Sequence, residues 1–273
     1  MDKSNFRFDD KVVLVTGSAG GIGKTIATAF GKAGARVAIC DINRVAAETC
    51  LKELRESGIE AMYFAVDLSK KGEPQRMVSD VVDAFGKLDI LINNARAGER
   101  LELLEDTEEN WDITMSVGLK ASYFATQKAI PIMDSQGGGN IVNISSVSAH
   151  VISSGSAAYH VSKSGLSQLT KYLAVHAGPK NIRVNSVSPG LIVQDEHRNR
   201  FKSSDNVNYR TRAEQCHPLK RVGYSQEVAD AALFLCSKAA SFITGQEIIV
   251  DGGLIIQDQW ALLSNKTHTT DNI

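Results

Sequence analysis

The sequence lacks several features that would place it in a specialised class of protein. It has no excess of either charge, because 30 Lys and Arg residues face 31 Asp and Glu residues. A clearly basic surface is typical of proteins that bind nucleic acid or anionic membranes, so neither partner is expected. No run approaches the roughly 18 apolar residues of a membrane span, and residues 1–11 contain no apolar signal segment. We therefore expect a cytoplasmic protein.

Cysteine is also scarce. The chain has four cysteines, Cys40, Cys50, Cys216 and Cys236, and they form neither a CxxC pair nor a metal-ligand spacing. We expect free thiols that pack as small apolar side chains in a reducing compartment, and no metal site.

What the sequence does contain is an alternation of short β-forming runs with longer helical segments. The 273 residues, 43% of them hydrophobic, are enough for one large domain or two small ones. The predicted strands are Val12–Val15, Arg36–Cys40, Ala61–Val66, Ile90–Asn93, Asn140–Ile144, Arg183–Ser186 and Glu247–Val250. The predicted helices include Lys24–Ala33, Arg44–Ser57, Pro74–Phe85, Thr107–Met133 and Ala157–Ala177. With no linker or repeat between them, these elements predict one doubly wound α/β domain over residues 1–273, with a seven-stranded parallel sheet and helices on both faces.

Two stretches fall outside this alternation. Leu191–Pro218 is rich in polar and charged residues, and a connection of that length inside a compact domain is usually a lid or a binding loop. We expect residues 191–218 to cover the substrate. Ser264–Ile273 is polar enough to form a flexible tail.

A glycine-rich turn follows the first predicted strand. Residues 16–23 read TGSAGGIG and lead into the helix Lys24–Ala33. Glycines let backbone N–H groups approach a pyrophosphate, and the helix N-terminus adds partial positive charge. An ordinary βα turn is the alternative, but the order of strand, turn and helix is typical of a dinucleotide site.

Asp41 bears on which dinucleotide is bound. It ends the second predicted strand, 18 residues after Gly23, near the ~20 residues expected for a carboxylate that binds the adenosine ribose hydroxyls. A carboxylate there would repel a 2′-phosphate, so the sequence favours NAD over NADP. Arg44 lies close enough to weaken this preference, and Asp41 could instead cap the next helix.

A second group of residues could carry out chemistry. Tyr159 and Lys163 are four residues apart in a predicted helix, so their side chains leave the same face. Ser146 lies thirteen residues before Tyr159, after the fifth strand. Tyr159 and Lys163 alone could be an exposed helical pair, and Ser145 and Ser148 compete with Ser146 for a serine role.

Taken together, these motifs resemble the short-chain dehydrogenase/reductase family. The resemblance runs from about Phe8 to Gly253, nearly the whole chain, and implies a Rossmann domain. It rests on the turn at Thr16–Gly23, Asp67-Leu68, Asn93–Ala95, the Ser146, Tyr159 and Lys163 spacing, Pro189-Gly190, Thr244–Gln246 and Asp251–Gly253.

The resemblance also implies roles for individual residues. Tyr159 would be the general acid/base of hydride transfer between a nicotinamide ring and an alcohol or ketone, Lys163 the cation that supports it, and Ser146 the hydrogen-bond donor to the substrate oxygen. The cofactor-binding residues it implies are Gly17, Ser18, Gly21, Ile22, Gly23, Asp41, Asp67, Leu68, Asn93, Ala95, Tyr159, Lys163, Pro189, Gly190 and Ile192. The helices Thr107–Met133 and Ala157–Ala177 correspond to those that pair about a two-fold axis in the family, which implies a homotetramer or homodimer.

Three positions depart from the family pattern. Arg96 stands where the motif after the fourth strand usually has glycine. Gly118 replaces an asparagine that supports a proton-relaying water in the family, and Gln194 replaces a threonine that binds the cofactor amide. Because Ser146, Tyr159 and Lys163 are intact, we expect an active enzyme with slower proton exchange.

The leading hypothesis is an NAD(H)-dependent oxidoreductase that acts on a small polar alcohol or ketone, since Arg96 and Arg100 lie beside the expected nicotinamide pocket. Two alternatives remain. One is a redox-neutral epimerase or dehydratase that retains NAD, and the other is a non-catalytic protein that responds to NAD.

Overall fold

The computed structural model describes residues 6–258. The strands are β1 Val12–Thr16, β2 Arg36–Asp41, β3 Ala61–Ala65, β4 Ile90–Asn93, β5 Gly139–Ile144, β6 Ile182–Pro189, β7 Ile192–Val193, β8 Gly223–Tyr224 and β9 Glu247–Val250. The α-helices are α1 Gly21–Lys32, α2 Arg44–Glu56, α3 Glu73–Phe85, α4 Glu108–Met115, α5 Ala121–Ser135, α6 Ala157–Ala177, α7 Arg198–Lys202, α8 Val207–Gln215 and α9 Ser225–Cys236.

Seven strands form one parallel sheet in the order β3-β2-β1-β4-β5-β6-β9. This confirms the predicted doubly wound α/β fold with helices on both faces. The strand order reverses between β1 and β4, and ligands of such sheets bind beyond the carboxyl ends of the strands at this reversal. The fold therefore places a binding site after β1, β4 and their neighbours.

Strand β1 shows why the central strands are continuous apolar runs. Val13 and Val15 point into the core beneath α1 and α9, whereas Val12 and Leu14 point into the core beneath α3 and α5. All four side chains are completely buried, since successive residues of a strand face opposite sides and both sides are covered here.

The predicted helix Thr107–Met133 is not one continuous α-helix. It is divided into α4 and α5 by a π-helical turn over Ser116–Lys120. Such turns insert one extra residue into a helix and occur frequently at functional sites. Gly118 lies within this turn, so the departure from the family pattern coincides with a local change of helix geometry.

The stretch Leu191–Pro218 is more ordered than a plain loop. It contains β7, α7 and α8, and β7 pairs with β8 in a separate two-stranded sheet. Phe201 and Ala213 pack with Val193 and Val222 in a small apolar cluster. The expected tail Ser264–Ile273 lies outside the described residues. Among residues 6–258, no helix combines the length and apolarity that a membrane crossing needs.

Candidate active site

A cleft of about 680 Å³ opens at the carboxyl ends of the central strands. Most residues predicted to form the site line it. They are Gly17, Gly21, Ile22, Gly23, Asp41, Asp67, Leu68, Ala95, Ser146, Tyr159, Lys163, Pro189, Gly190 and Ile192. The cleft thus brings the predicted cofactor residues and the predicted catalytic residues into one cavity.

The glycine turn at one end of the cleft requires glycine for two reasons. Gly17 has a φ of 62°, and a Cβ there would lie 2.8 Å from Cα of Ala95. A Cβ on Gly23 would overlap the carbonyl oxygen of Gly17 and the side chain of Asn94. The turn after β1 is therefore packed directly against the chain that leaves β4.

Two polar side chains fasten this contact. Nδ2 of Asn94 donates hydrogen bonds of 2.9 Å to the carbonyl oxygens of both Thr16 and Gly17. In return, Oγ1 of Thr16 accepts from the backbone N–H groups of Asn94 and Ala95, at 2.9 and 3.0 Å. Sequence reasoning included both residues in motifs but assigned neither of them this role, because the pairing depends on β1 and β4 being neighbours.

Two predicted cofactor residues do not line the cleft. Ser18 is buried, and its hydroxyl donates to the carbonyl of Val15 at 2.8 Å and accepts from the N–H of Cys40 at 3.0 Å. Asn93 is also buried, and its Nδ2 donates to Oδ1 of Asn143 at 2.9 Å. Both side chains support the floor of the cleft from below.

Two carboxylates line the cleft, Asp41 at the end of β2 and Asp67 just after β3. Asp41 accepts hydrogen bonds from the N–H groups of Ala19 at 3.0 Å and Asn43 at 2.9 Å, which fixes its carboxylate beside the turn. Asp67 accepts from the hydroxyl of Ser69 at 2.6 Å, and this hydrogen bond holds the pKa of Asp67 below its usual value. Asp67 therefore stays ionised at neutral pH.

The residues around the turn fit a dinucleotide. Helix α1 begins after Gly20 with no side chain capping its first turn. The first N–H groups of a helix have no partner within the helix, and they bind anions readily. A pyrophosphate would lie against this end of α1, while the carboxylate of Asp41 is available to the hydroxyls of a ribose.

Ser146 follows β5 at the opposite end of the cleft. Its Oγ accepts a hydrogen bond of 3.1 Å from the N–H of Ser148, so its own proton can still be donated to another group. The hydroxyl of Ser145 donates to the carbonyl oxygen of Lys163 at 3.0 Å and thus fastens α6 to the end of β5. The structure therefore favours Ser146 over Ser145 as the serine that faces a substrate.

Tyr159 and Lys163 extend from α6 into the same end of the cleft. Nζ of Lys163 lies 5.8 Å from the ring centroid of Tyr159 and donates a hydrogen bond of 2.7 Å to the carbonyl oxygen of Ile144. Burial, together with the positive charge of Arg96, lowers the pKa of Lys163 from 10.5 to about 8. Lys163 is therefore largely a buried cation at neutral pH.

The three departures from the family pattern all lie at this cleft or beside it. Arg96 lines the cleft as an exposed side chain. Gln194 lies against the glycine turn, since a Cβ on Gly21 would approach its amide carbon at 2.9 Å. A Cβ on Gly118 would lie 3.3 Å from Oγ of Ser162, which leaves limited room for a larger side chain.

Comparisons with known proteins agree with this geometry. The family profile described as enoyl-(acyl carrier protein) reductase matches residues 17–255. A probable galactose dehydrogenase of Rhizobium meliloti is 37% identical over 249 residues, which are 90% of this chain and 95% of that protein. An NAD-dependent glycerol dehydrogenase of Listeria innocua is 36% identical over 254 residues, which are 93% of this chain and 97% of that protein.

A solved structure of a 7α-hydroxysteroid dehydrogenase, in complex with NADH and 7-oxo glycochenodeoxycholic acid, superposes with a TM-score of 0.85. It is 33% identical and covers 93% of this chain and 97% of its own. The sheet order, the glycine turn and the extent of these similarities lead to one conclusion: the chain belongs to the short-chain dehydrogenase/reductase family.

Proposed function

We propose that the protein is an NAD(H)-dependent oxidoreductase that interconverts a small polar alcohol and the corresponding ketone. The observation that carries the proposal is that Ser146, Tyr159 and Lys163 line the same cleft as the glycine turn. Bound NAD(H) would accept or supply the hydride. The chain's own residues must then bind the substrate oxygen and move one proton.

Tyr159 acts as the general acid/base. During oxidation its phenolate oxygen takes the hydroxyl proton of the alcohol, and during reduction its hydroxyl returns that proton to the ketone oxygen. The buried ammonium of Lys163 lies 5.8 Å from the ring centroid of Tyr159 and supplies positive charge where the proton is transferred. Ser146 donates a hydrogen bond to the substrate oxygen as negative charge develops there.

NAD is the preferred cofactor in this proposal. Asp41 is fixed beside the glycine turn by the N–H groups of Ala19 and Asn43. A carboxylate in that position accepts hydrogen bonds from ribose hydroxyls and repels a 2′-phosphate. Other residues implied to hold the cofactor, Asp67, Leu68 and Ile192, border the same cleft.

The proposal is tested by absorbance at the nicotinamide band, with NAD or NADH and a panel of polyols, hydroxy acids and keto sugars. Tyr159→Phe is expected to lower turnover by a factor of about 10² to 10⁴, while fluorescence should show that the variant still binds NADH. Tyr172→Phe, on the exposed part of the same helix, serves as the matched control. Turnover that survives Tyr159→Phe would contradict the assigned role.

The two alternatives give different results in the same assay. A redox-neutral epimerase or dehydratase would change the substrate, detected by chromatography, with no net change in the nicotinamide absorbance. An NAD-responsive binding protein would bind NADH and turn over none of the panel. Net oxidation or reduction that depends on Tyr159 distinguishes the oxidoreductase from both.

We also propose a homotetramer or homodimer that pairs through α4, α5 and α6. Supporting this, α4 exposes Trp111, and α6 exposes Val161 and Val175. Large apolar side chains exposed on neighbouring helices are common at interfaces between subunits. Sedimentation equilibrium tests the proposal, and a monomer at all concentrations would refute it.

A further inference from the structure

The charges around the cleft are unevenly distributed. The acidic residues that line it are Asp41, Asp67 and Glu196. Asp41 and Glu196 lie against the glycine turn, the latter near Gly20, and Asp67 follows β3. The end of the cleft that holds Tyr159 and Lys163 is lined by two further cations and by no carboxylate among the described residues.

Arg100 is one of these cations, and it lies over the predicted general acid/base. Its guanidinium carbon is 5.1 Å from the ring centroid of Tyr159, a distance typical of a cation–π contact. The aliphatic part of the Arg100 side chain packs against Gly155, since a Cβ added to Gly155 would lie 3.4 Å from Cβ of Arg100. Arg100 therefore borders the position that a substrate must occupy to reach Tyr159.

The backbone that carries Arg100 is held in place although its side chain is exposed. The side-chain amide of the buried Asn110 accepts from the N–H of Glu99 at 2.7 Å and donates to the carbonyl of Glu99 at 3.2 Å. Gly98, with a φ of 83°, packs against Thr114 of α4. The loop is thus attached to α4 immediately before Arg100.

Arg96 is the other cation, and its charge reaches Lys163. Together with burial, it lowers the pKa of that lysine. Neither Arg96 nor Arg100 forms an ion pair with any carboxylate in residues 6–258, although Glu99, Glu102 and Glu105 belong to the same loop. Both guanidinium groups can therefore accept an external anion.

We propose that Arg96 and Arg100 form a subsite for a negatively charged group of the substrate, a carboxylate or a phosphate. This inference rests on the proposed function and narrows its substrate to a hydroxy acid, an oxo acid or a phosphorylated alcohol. Guanidinium groups bind both anions through paired hydrogen bonds, which also orient the ligand. An anion held by Arg100 would place the neighbouring hydroxyl or keto carbon beside Tyr159.

The subsite is tested with pairs of substrates that differ only in charge. Suitable pairs are a hydroxy acid with its amide, and a sugar phosphate with the free sugar. Arg96→Gln and Arg100→Gln should each raise the KM for the anionic member about tenfold, the effect of losing one hydrogen bond to a charged group. The KM for the neutral member should change little. Any change in kcat should be the same for both members, because the contact of Arg100 with Tyr159 and the charge of Arg96 near Lys163 act on either substrate.

Arg7→Gln is the matched control. This exposed arginine pairs with Asp9 and packs near Gly34, at the amino ends of the strands and away from the cleft. Loss of the same charge there should leave both KM values unchanged. The two substrate pairs also distinguish a carboxylate from a phosphate, because the arginine variants should raise the KM only for the substrate that carries the preferred anion.

A binding experiment makes the test independent of turnover. The NADH complex is titrated with malonate and with inorganic phosphate, and thermal unfolding is followed in the wild type and in the double variant Arg96→Gln/Arg100→Gln. Stabilisation by one anion that is lost in the double variant supports the subsite even if no substrate in the panel is turned over. In that case the proposed function fails and the subsite stands.

Other outcomes overturn the subsite. Equal KM values for charged and neutral substrates, unchanged in both variants, refute it while Tyr159-dependent turnover leaves the proposed function intact. A higher Kd for NADH in Arg96→Gln, with an unchanged KM for the anionic substrate, would assign Arg96 to the cofactor pyrophosphate instead.

Discussion

The ammonium group of Lys163 is bound directly to the end of strand β5, through a hydrogen bond of 2.7 Å to the carbonyl oxygen of Ile144. The same strand leads into Ser146, and Ser145 fastens the backbone of Lys163 from the other side. The cation and the serine of the candidate site are therefore positioned by one strand. A rigid common support of this kind is what precise catalytic geometry requires.

Burying this cation should make stability depend on pH. The pKa of Lys163 is lowered from 10.5 to about 8 in the folded chain, so between these values the unfolded chain binds more protons and wild-type stability rises with pH. Lys163→Met should increase the free energy of unfolding at neutral pH by roughly 1–3 kcal/mol, and this advantage should shrink as pH rises through the same range.

Urea unfolding from neutral pH to about pH 10 measures the effect. The control is Lys171→Met, which removes an exposed lysine two turns further along α6. If the free energies of unfolding of Lys163→Met and the wild type differ by the same amount across this pH range, the buried lysine is not the cause of the pH dependence.

Gly118 offers a test of proton relay. An asparagine there would contact Ser162 Oγ at its Cβ, 3.3 Å away, and its amide would supply polar partners for a water. If slow proton exchange limits the wild type, Gly118→Asn should raise kcat by about tenfold or shift its pH optimum.

Gly118→Ala is the comparison for this variant, because it adds the Cβ without the amide. An equal effect of both substitutions would trace the change to helix geometry in the π-helical turn. No change in either kcat or the pH optimum with asparagine would refute the relay hypothesis.

Asp41 should control the choice between NAD and NADP. Asp41→Asn removes the charge and keeps one of the two hydrogen bonds, because the single amide oxygen can replace only one of the carboxylate oxygens that accept from Ala19 and Asn43. The ratio of kcat/KM for NAD to that for NADP should fall about tenfold, since one charge–charge repulsion of roughly 1.4 kcal/mol is lost. The control Glu56→Gln removes an exposed carboxylate at the end of α2, and an equal fall there would show a non-specific charge effect.

Alanine substitutions at two glycines can distinguish the energetic cost of backbone strain from that of steric overlap. Gly17 and Gly58 both have positive φ, 62° and 78°, but only Gly17 has a neighbour within contact distance of a Cβ. Gly58→Ala should therefore cost about 1 kcal/mol of stability. Gly17→Ala should cost more and weaken NADH binding, as measured by urea unfolding and fluorescence titration. Equal losses of stability in the two variants would show that Ala95 can move aside without strain.

The strands and the turn could be predicted from sequence because their signals are local. All seven strands of the main sheet match the apolar runs that lie between helical segments, with β6 extending further than predicted, to Pro189. The π-helical turn was missed because its residues keep a helical apolar spacing. The short helices α7 and α8 were missed because only a few residues of each face a small core.

The roles of individual side chains were less predictable. Ser18 matches the family motif, but its hydroxyl binds the backbone of β1 and β2 and does not line the cleft. Asn94 holds the glycine turn that follows β1, and Asn110 of α4 holds the loop at Glu99. Such contacts are set by tertiary packing, which a single sequence does not specify. The contact between Arg100 and Tyr159 belongs to the same class.

The two ends of the cleft are built from different parts of the chain. At the glycine turn the important groups are backbone N–H donors and the absence of side chains, whereas at Tyr159 the walls are side chains such as Arg96 and Arg100. Single amino-acid changes can therefore alter one end and spare the other. This separation gives a physical route by which one scaffold diversifies, consistent with related chains named for galactose, glycerol and a steroid.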